Sequence, residues 1–196
     1  HSVEKIGGTS MCDYASVRDN VVFRRKGPEQ ALGRVFVVSA YGGITDRLLE
    51  HKKTGEAGVF GVFREGENDA CWRETLDKLH NHMLDINASL FTDKVNLRAA
   101  NQTITERIDT VRDCLANLET LCQHGHFNMD AQLAAVREML ASLGEAHSAW
   151  NMAALLRRDG VPAVFVDLTG WQDDGQLTLD ERIEQAFADI DLQRSV

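Results

Sequence analysis

Two kinds of apolar pattern alternate along this chain. One is short and nearly unbroken, as in Arg34-Val35-Phe36-Val37-Val38-Ser39 and Val161-Pro162-Ala163-Val164-Phe165-Val166-Asp167. Runs of this length, rich in β-branched residues, predict strands buried on both faces of a parallel sheet. Pro162 falls at the first positions of such a strand, where its missing N–H is tolerated. A further strand is expected around Val3-Glu4-Lys5. The other pattern has helical spacing. Trp72, Leu76, Leu79, Met83, Ile86 and Leu90 recur every three or four residues, and Ile104, Ile108, Val111, Leu115, Leu118 and Cys122 repeat the stripe. This predicts an antiparallel helical pair, with capping residues between them at Asn101 to Thr105. Its plain reading is core.

Shorter helices complete the order. One is expected from Asp13, as N-cap, to about Arg25, and another begins near Thr45 and carries Leu48 and Leu49. Asp130 caps a helix with Leu133, Val136 and Leu140 that leads into Gly144-Glu145-Ala146-His147-Ser148. A separate helix runs from about Ser148 to Arg158 and ends at Gly160. The tail from Leu179 to Asp191 reads as charged and weakly helical. Strand, helix, strand, helical middle, helix and strand together predict an open α/β fold in one domain, since no linker or repeat divides the chain.

Both early strands run into glycine turns. Lys5-Ile6-Gly7-Gly8-Thr9-Ser10 packs a lysine, two glycines and two hydroxyls into one strand-to-helix turn. Glycines let backbone N–H groups approach an anion closely, a following helix would point its positive end there, and lysine adds a mobile charge. Ala40-Tyr41-Gly42-Gly43-Ile44-Thr45-Asp46 is the second turn. In an open α/β sheet the ligand crevice lies at the strand C-termini, so both turns are expected to face one cleft.

Composition narrows the field. The 196 residues are 43% hydrophobic with a net charge of −9, which gives no electrostatic case for nucleic acid or an anionic membrane as partner. The cluster Arg24-Arg25-Lys26 beside Gly27-Pro28 reads as a solvated loop. No apolar run reaches a membrane span, and no signal-peptide pattern is present. His1-Ser2 reads as a remnant of a tag. Cys12, Cys71, Cys114 and Cys122 form no framework, so reduced thiols in a cytoplasmic protein are expected. His80/His82, at i and i+2, diverge on a helix. His124/His126 fall in a predicted loop, and no metal ligand is assigned.

Three segments together resemble one family. Lys5-Ile6-Gly7-Gly8-Thr9-Ser10, Val38-Ser39-Ala40-Tyr41-Gly42-Gly43-Ile44-Thr45-Asp46 and Gly144-Glu145-Ala146-His147-Ser148 follow the order seen in aspartokinases: K-F-G-G-[ST]-S, then V-S-A-x-G-x-[VT]-[TN], then G-E-x-x-S. The similarity runs from Val3 to about Phe187, and Glu4 to Met11 with Ser39 to Glu56 looks most like the ectoine-biosynthesis subgroup. The resemblance implies a three-layer αβα sandwich with a mostly parallel sheet, here only its N-terminal, aspartate-side lobe with a helical hairpin inserted.

It also implies transfer of the ATP γ-phosphoryl group to the β-carboxylate of L-aspartate, with Mg²⁺ accompanying ATP, in a cytoplasmic homo-oligomer. By similarity, Lys5 stabilises the transferring group, Gly7 and Gly8 offer it N–H groups, and Thr9 and Ser10 donate hydroxyls. Ser39 lies at the acceptor site backed by Gly42 and Gly43, while Thr45 and Glu145 hold aspartate, the glutamate on its α-ammonium.

Ile6 departs from the family's aromatic, a change expected to alter packing more than chemistry. The family's later T-G-[FY] and G-R-G-[GY]-S-[DE]-like segments, which supply most of the ATP site, are not in this sequence, nor are ACT modules. Little or no kinase activity is therefore expected from this polypeptide alone. Plain alternatives remain: Lys5 as a solvated strand-end lysine, Glu145 as a first-turn glutamate, Thr45 as an N-cap, Ser148 as a cap. Other function classes also remain, namely an amino-acid kinase fold with another carboxylate or carbamate acceptor, or a non-catalytic oligomerisation domain.

Overall fold

The computed structural model describes residues 2–66, 69–124, 128–171, 177–188, 190–191 and 194–196; His1 and His126 lie outside them. The α/β class and the parallel pairing expected from sequence hold. The chain divides into two compact units, residues 1–42 with 145–196, and residues 43–144.

In the first unit, strand β1 (Ser2–Ile6) pairs in parallel with β2 (Arg34–Val38), in a register from Ser2 opposite Arg34 to Ile6 opposite Val38. Arg34 anchors this pair. Its guanidinium is buried and forks onto the Glu4 carboxylate at 2.8 and 2.5 Å. The remaining N–H groups donate to the carbonyls of Val22 at 2.7 Å, Val21 at 2.9 Å and Gln30 at 3.0 Å.

That capture of carbonyls bears on the segment between the strands. The single helix expected over Asp13–Arg25 is instead a series of short pieces: α1 (Gly8–Met11), α2 (Tyr14–Ser16) and a π-helical stretch, Val17–Val22. Asp13 does cap as expected, accepting from the Ser16 N–H at 3.0 Å. The helix stops where Arg34 takes the last carbonyls, and the chain turns away through Arg24 and Arg25, both at positive φ. Both arginines are exposed, as a loop predicts, with Arg24 on Glu4 and Arg25 on Asn20.

The run Val161–Asp167 forms no ladder with β1 or β2 among the described residues, against the strand expected there. A strand is defined by a hydrogen-bonded neighbour as much as by its own apolar residues. Here the Val164 N–H and the Pro162 carbonyl bond to Val196 instead. The helix before this run ends as predicted at Gly160, φ +85°, with Val161 N–H on Leu156 O and Gly160 N–H on Arg157 O. This is the paired bonding of a Schellman cap.

The second unit is helical, with α3 (Ile44–Leu48), α4 (Val59–Glu65), α5 (Asp69–Leu90) and α6 (Lys94–Cys122). Contacts from Trp72 to Glu119, Asp77 to Arg112, His80 to Thr105 and Asn87 to Asn101 count up one helix and down the other, so α5 and α6 are antiparallel as expected. Leu76, Leu79, Met83, Ile104, Ile108, Val111 and Leu115 are buried in the seam. The link between the helices differs from the expected one. Asp93, not Asn101–Thr105, caps α6 by accepting from the Asn96 N–H at 2.8 Å. Asn101 sits inside α6, where the Asn87 amide donates to it at 3.0 Å.

One helix, α7 (Asp130–Arg158), replaces the two expected around Gly144. A lone glycine in a helix costs only about 1 kcal/mol. Leu140, Leu143 and Ala146, all buried, outweigh it by packing. The tail helix α8 covers Leu179–Ala188.

Candidate active site

The first unit gathers most of the expected site residues at the C-terminal ends of β1 and β2. Lys5 is exposed one residue before the strand ends at buried Ile6. Gly7 follows with φ −76° and ψ 157°, a conformation open to any residue. A Cβ built on it would meet no atom within 4 Å, so its open side is what matters. Gly8 is different: a Cβ there would stand 2.7 Å from Ala40 O. Only glycine lets the first turn lie this close to the second. Thr9 and Ser10 are exposed in the single turn of α1. The longer helix expected behind this turn is absent, so little macrodipole supports it, and any anion would rely on Lys5 and local N–H groups.

Ser39 is fixed from two sides. Its N–H donates to Ile6 O at 3.0 Å, and its carbonyl accepts the Ser148 hydroxyl at 2.8 Å. Ser148 is fully buried and its Oγ also bonds Glu145 O at 3.0 Å. It lies inside α7, so it ties the end of β2 to that helix rather than capping one. Cys12 links the two turns, with Sγ 3.6 Å from Gly8 O while Gly42 N–H donates to Sγ at 3.4 Å. Neither Ser148 nor Cys12 was placed by sequence reasoning in these ties. The signal for Ser148 was its spacing of three from Glu145, which puts both on one helical face.

Glu145 also lies inside the helix, so a macrodipole pairing in the first turn does not explain it. Its carboxyl reaches solvent, but surrounding protein pushes its pKa up, offset in part by its own backbone N–H and by the positive charge of Lys5. The charge of Lys5, at the end of β1, thus reaches Glu145 on α7. Among the described residues Lys5 makes no ion pair within 4 Å. Behind them Tyr41 and His147 meet edge to face at 5.4 Å, and burial holds the His147 imidazole neutral with a pKa of about 3.

Gly43 and Thr45 belong to the second unit. Gly43, at φ +80°, occupies the N-cap position of α3 expected for Thr45, which sits in the first turn. The left-handed backbone there favours glycine. Among the described residues no three His, Cys, Asp or Glu side chains cluster as a metal set, and no helix is long and apolar enough to cross a membrane.

Comparison with known proteins decides the family. The amino acid kinase family profile matches residues 2–189. The chain belongs to the amino acid kinase family. It is 48% identical, over its whole length, to the aspartate kinase Ask_Ect of Stutzerimonas stutzeri (strain A1501). It spans 41% of that relative's length. The glycine turns at the strand ends are therefore turns of a kinase family, and the ectoine-type resemblance read from the motifs extends across all 196 residues.

Proposed function

We propose that this chain supplies the aspartate side of an ATP-dependent aspartate kinase, which phosphorylates the β-carboxylate of L-aspartate in the cytoplasm. The observation that carries this reading is an exposed Lys5, without an ion pair among the described residues and beside the open flank of Gly7, whose positive charge reaches the Glu145 carboxyl on α7. A cation and an anion held apart at the strand ends suit a substrate bearing both charges.

A carboxylate oxygen of aspartate attacks the γ-phosphorus, the bond to the β,γ-bridging oxygen breaks, and ADP leaves. The nucleophile is already ionised, so no base is needed, and catalysis consists of positioning and charge neutralisation. Lys5 neutralises charge on the transferring group. Gly7 and Gly8 turn N–H groups toward it, with Thr9 and Ser10 adding hydroxyl donors. Ser39, held rigid by Ile6 and Ser148, meets the acceptor carboxylate. Glu145 receives the α-ammonium, a cation that favours the ionised form its burial penalises. The shares of Gly42, Gly43 and Thr45 in aspartate binding rest on the resemblance alone. Mg²⁺ accompanies ATP and supplies charge neutralisation on the phosphates; no residue of this segment is assigned to it.

The test is Lys5→Ala in a protein that carries the nucleotide half. The turnover number is expected to fall about a hundredfold or more, with folding unchanged. Unchanged turnover would remove Lys5 from the reaction and favour an oligomerisation role. Aspartate is expected to raise the melting temperature of this chain. Protection by glutamate or carbamoyl phosphate, with none by aspartate, would show the acceptor to be wrong.

A further inference from the structure

Glu145, Ser148 and Asn151 follow one another three residues apart in α7, so each neighbours the next on the surface of the helix. Ser148 and Asn151 are fully buried, on a helix that also buries Leu143, Met152 and Leu155. A polar side chain in such a place costs stability unless something takes its hydrogen bonds. For Ser148 the partners are Ser39 O and its own helix. For Asn151 they are two rings. Its Nδ2 lies 3.2 Å from His147 Nε2, which the neutral imidazole leaves able to accept. Asn151 also hydrogen-bonds the Tyr41 hydroxyl, against the upward push that burial gives the phenol.

Tyr41 is the one large side chain in the turn from Ser39 to Gly42. It is 5% exposed, stands edge-on to His147 at 5.4 Å, and shares a small cavity with Met11, Val17 and Leu155. Ser39 before it is held through its own backbone, by Ile6 O and Ser148. Gly42 after it has its N–H on Cys12 Sγ at 3.4 Å, and a thiol is a weak acceptor. Beyond Ser39, the strong hold on this turn is therefore the Tyr41 side chain. Its ring fills apolar space, as a phenylalanine would. Its hydroxyl adds a directional bond to α7, the helix that already fixes Ser39.

We propose that Tyr41 is a positioning residue for the acceptor side of the site: Asn151 holds its hydroxyl, and the held ring sets where Ser39 and Gly42 stand against bound aspartate. The inference rests on the reaction proposed above and deepens it. Tyr41 is buried and acts through its neighbours rather than by touching a substrate. The bond belongs to the second turn, so losing it is expected to weaken the use of aspartate and to leave ATP unaffected. Asn151 enters as the residue of α7 that carries the hold, one helical turn beyond Ser148.

Tyr41→Phe, which removes only the hydroxyl, tests it. In a protein that carries the nucleotide half, the KM for aspartate is expected to rise about tenfold, with the KM for ATP and the melting temperature nearly unchanged. Asn151→Ala is expected to raise the same constant. The double variant should go no further than the larger single change, because both remove one bond. In the 196-residue chain, Tyr41→Phe is expected to speed exchange of the Ser39 and Gly42 amides about tenfold relative to Leu155 and Leu156 inside α7. An unchanged KM for aspartate, or unchanged exchange at Ser39 and Gly42, would overturn the proposal. So would KM values that rise together for both substrates, or effects that add in the double variant, since the two residues would then serve the fold alone. Lys5→Ala, assayed alongside, separates the two readings: unchanged turnover there means that the reaction itself was misread.

Discussion

In the second unit, α5 and α6 meet through a repeating apolar stripe, and each contact lies on the same two helices as the next. In the first unit, short elements converge from distant parts of the chain onto single polar side chains. Arg34 gathers Glu4, Val21, Val22 and Gln30, while Asp159 gathers Tyr14, Arg18 and Arg158. The second unit spreads its stability over many interchangeable contacts, whereas the first concentrates it in a few that cannot be replaced. The candidate site belongs with the concentrated kind. Ser39 and the glycine turns hold position only because Ser148, Cys12 and the β1–β2 register hold them.

The contrast is sharpest at Arg34. Arg34→Met keeps the apolar stem but leaves the Glu4 carboxylate without its forked partner and two carbonyls at the helix end without donors. Glu4 is part-exposed and keeps Arg24, so the cost comes mainly from the buried carbonyls left without donors, about 1–3 kcal/mol. The loss, read by urea denaturation, is expected to remove exchange protection from the β1 and β2 amides. A loss below about 1 kcal/mol would mean the first unit is not pinned as described. Leu115→Ala, in the seam of the second unit, is expected to cost about 2–5 kcal/mol as a cavity, with the β1 and β2 amides unaffected at equal stability.

Acid should separate the two regions next. Hydrogen bonds from Arg34 hold the Glu4 pKa at about 2, below its ordinary 4.5, and burial holds His147 at about 3, below 6.5. Both are depressed in the folded state, so the unfolded chain binds more protons as pH falls. Their stabilisation is complete above about 6.5 and is lost through 4.5 toward 2. Glu145, raised by burial, works in the opposite sense. In the second unit, burial lowers His80 in the same direction as His147. The first unit is therefore expected to lose near-ultraviolet circular dichroism of Tyr14 and Tyr41 before Trp72 fluorescence changes on acidification. The reverse order would contradict the assignment.

The same contrast governs what could be read from the chain. Amphipathic spacing is internal to a helix, so the seam residues from Leu76 to Leu115 were legible without knowing any neighbour. A strand needs a partner, and Val161–Asp167 has the composition of one but among the described residues forms no ladder with β1 or β2. Breaks depend on which polar side chain turns to the helix N-terminus: Asp93 accepts from the Asn96 N–H, whereas Asn101 is committed to Asn87. At the candidate site, one turn singles out Lys5, Gly7 and Gly8 in the sequence, and a motif singles out Glu145; the structure puts them near the strand ends without testing their roles. Arg34, whose guanidinium ties β2 to Glu4 of β1, stands in the sequence only as the first residue of an apolar run. An arginine opening one strand and a glutamate two residues further along its neighbour, on the same face of the sheet, were the available signal.

The smallest effect tests the comparison from the other side, at a polar pair between α5 and α6. Asn87 is fully buried between Met83 and Phe91, a position the stripe assigned to Ile86. Its amide donates to Asn101 Oδ1 at 3.0 Å. Asn87→Leu alone strands the partner amide and is expected to cost about 1–3 kcal/mol. Asn101→Leu added to it removes the stranded group, and because apolar residues such as Met83 and Ile104 are buried along the seam the double variant should recover most of that loss. A double-mutant cycle by urea denaturation measures the recovery. If the double variant instead loses the sum of the two single changes, this pair behaves like Arg34, and the second unit too depends on a polar contact that packing cannot replace.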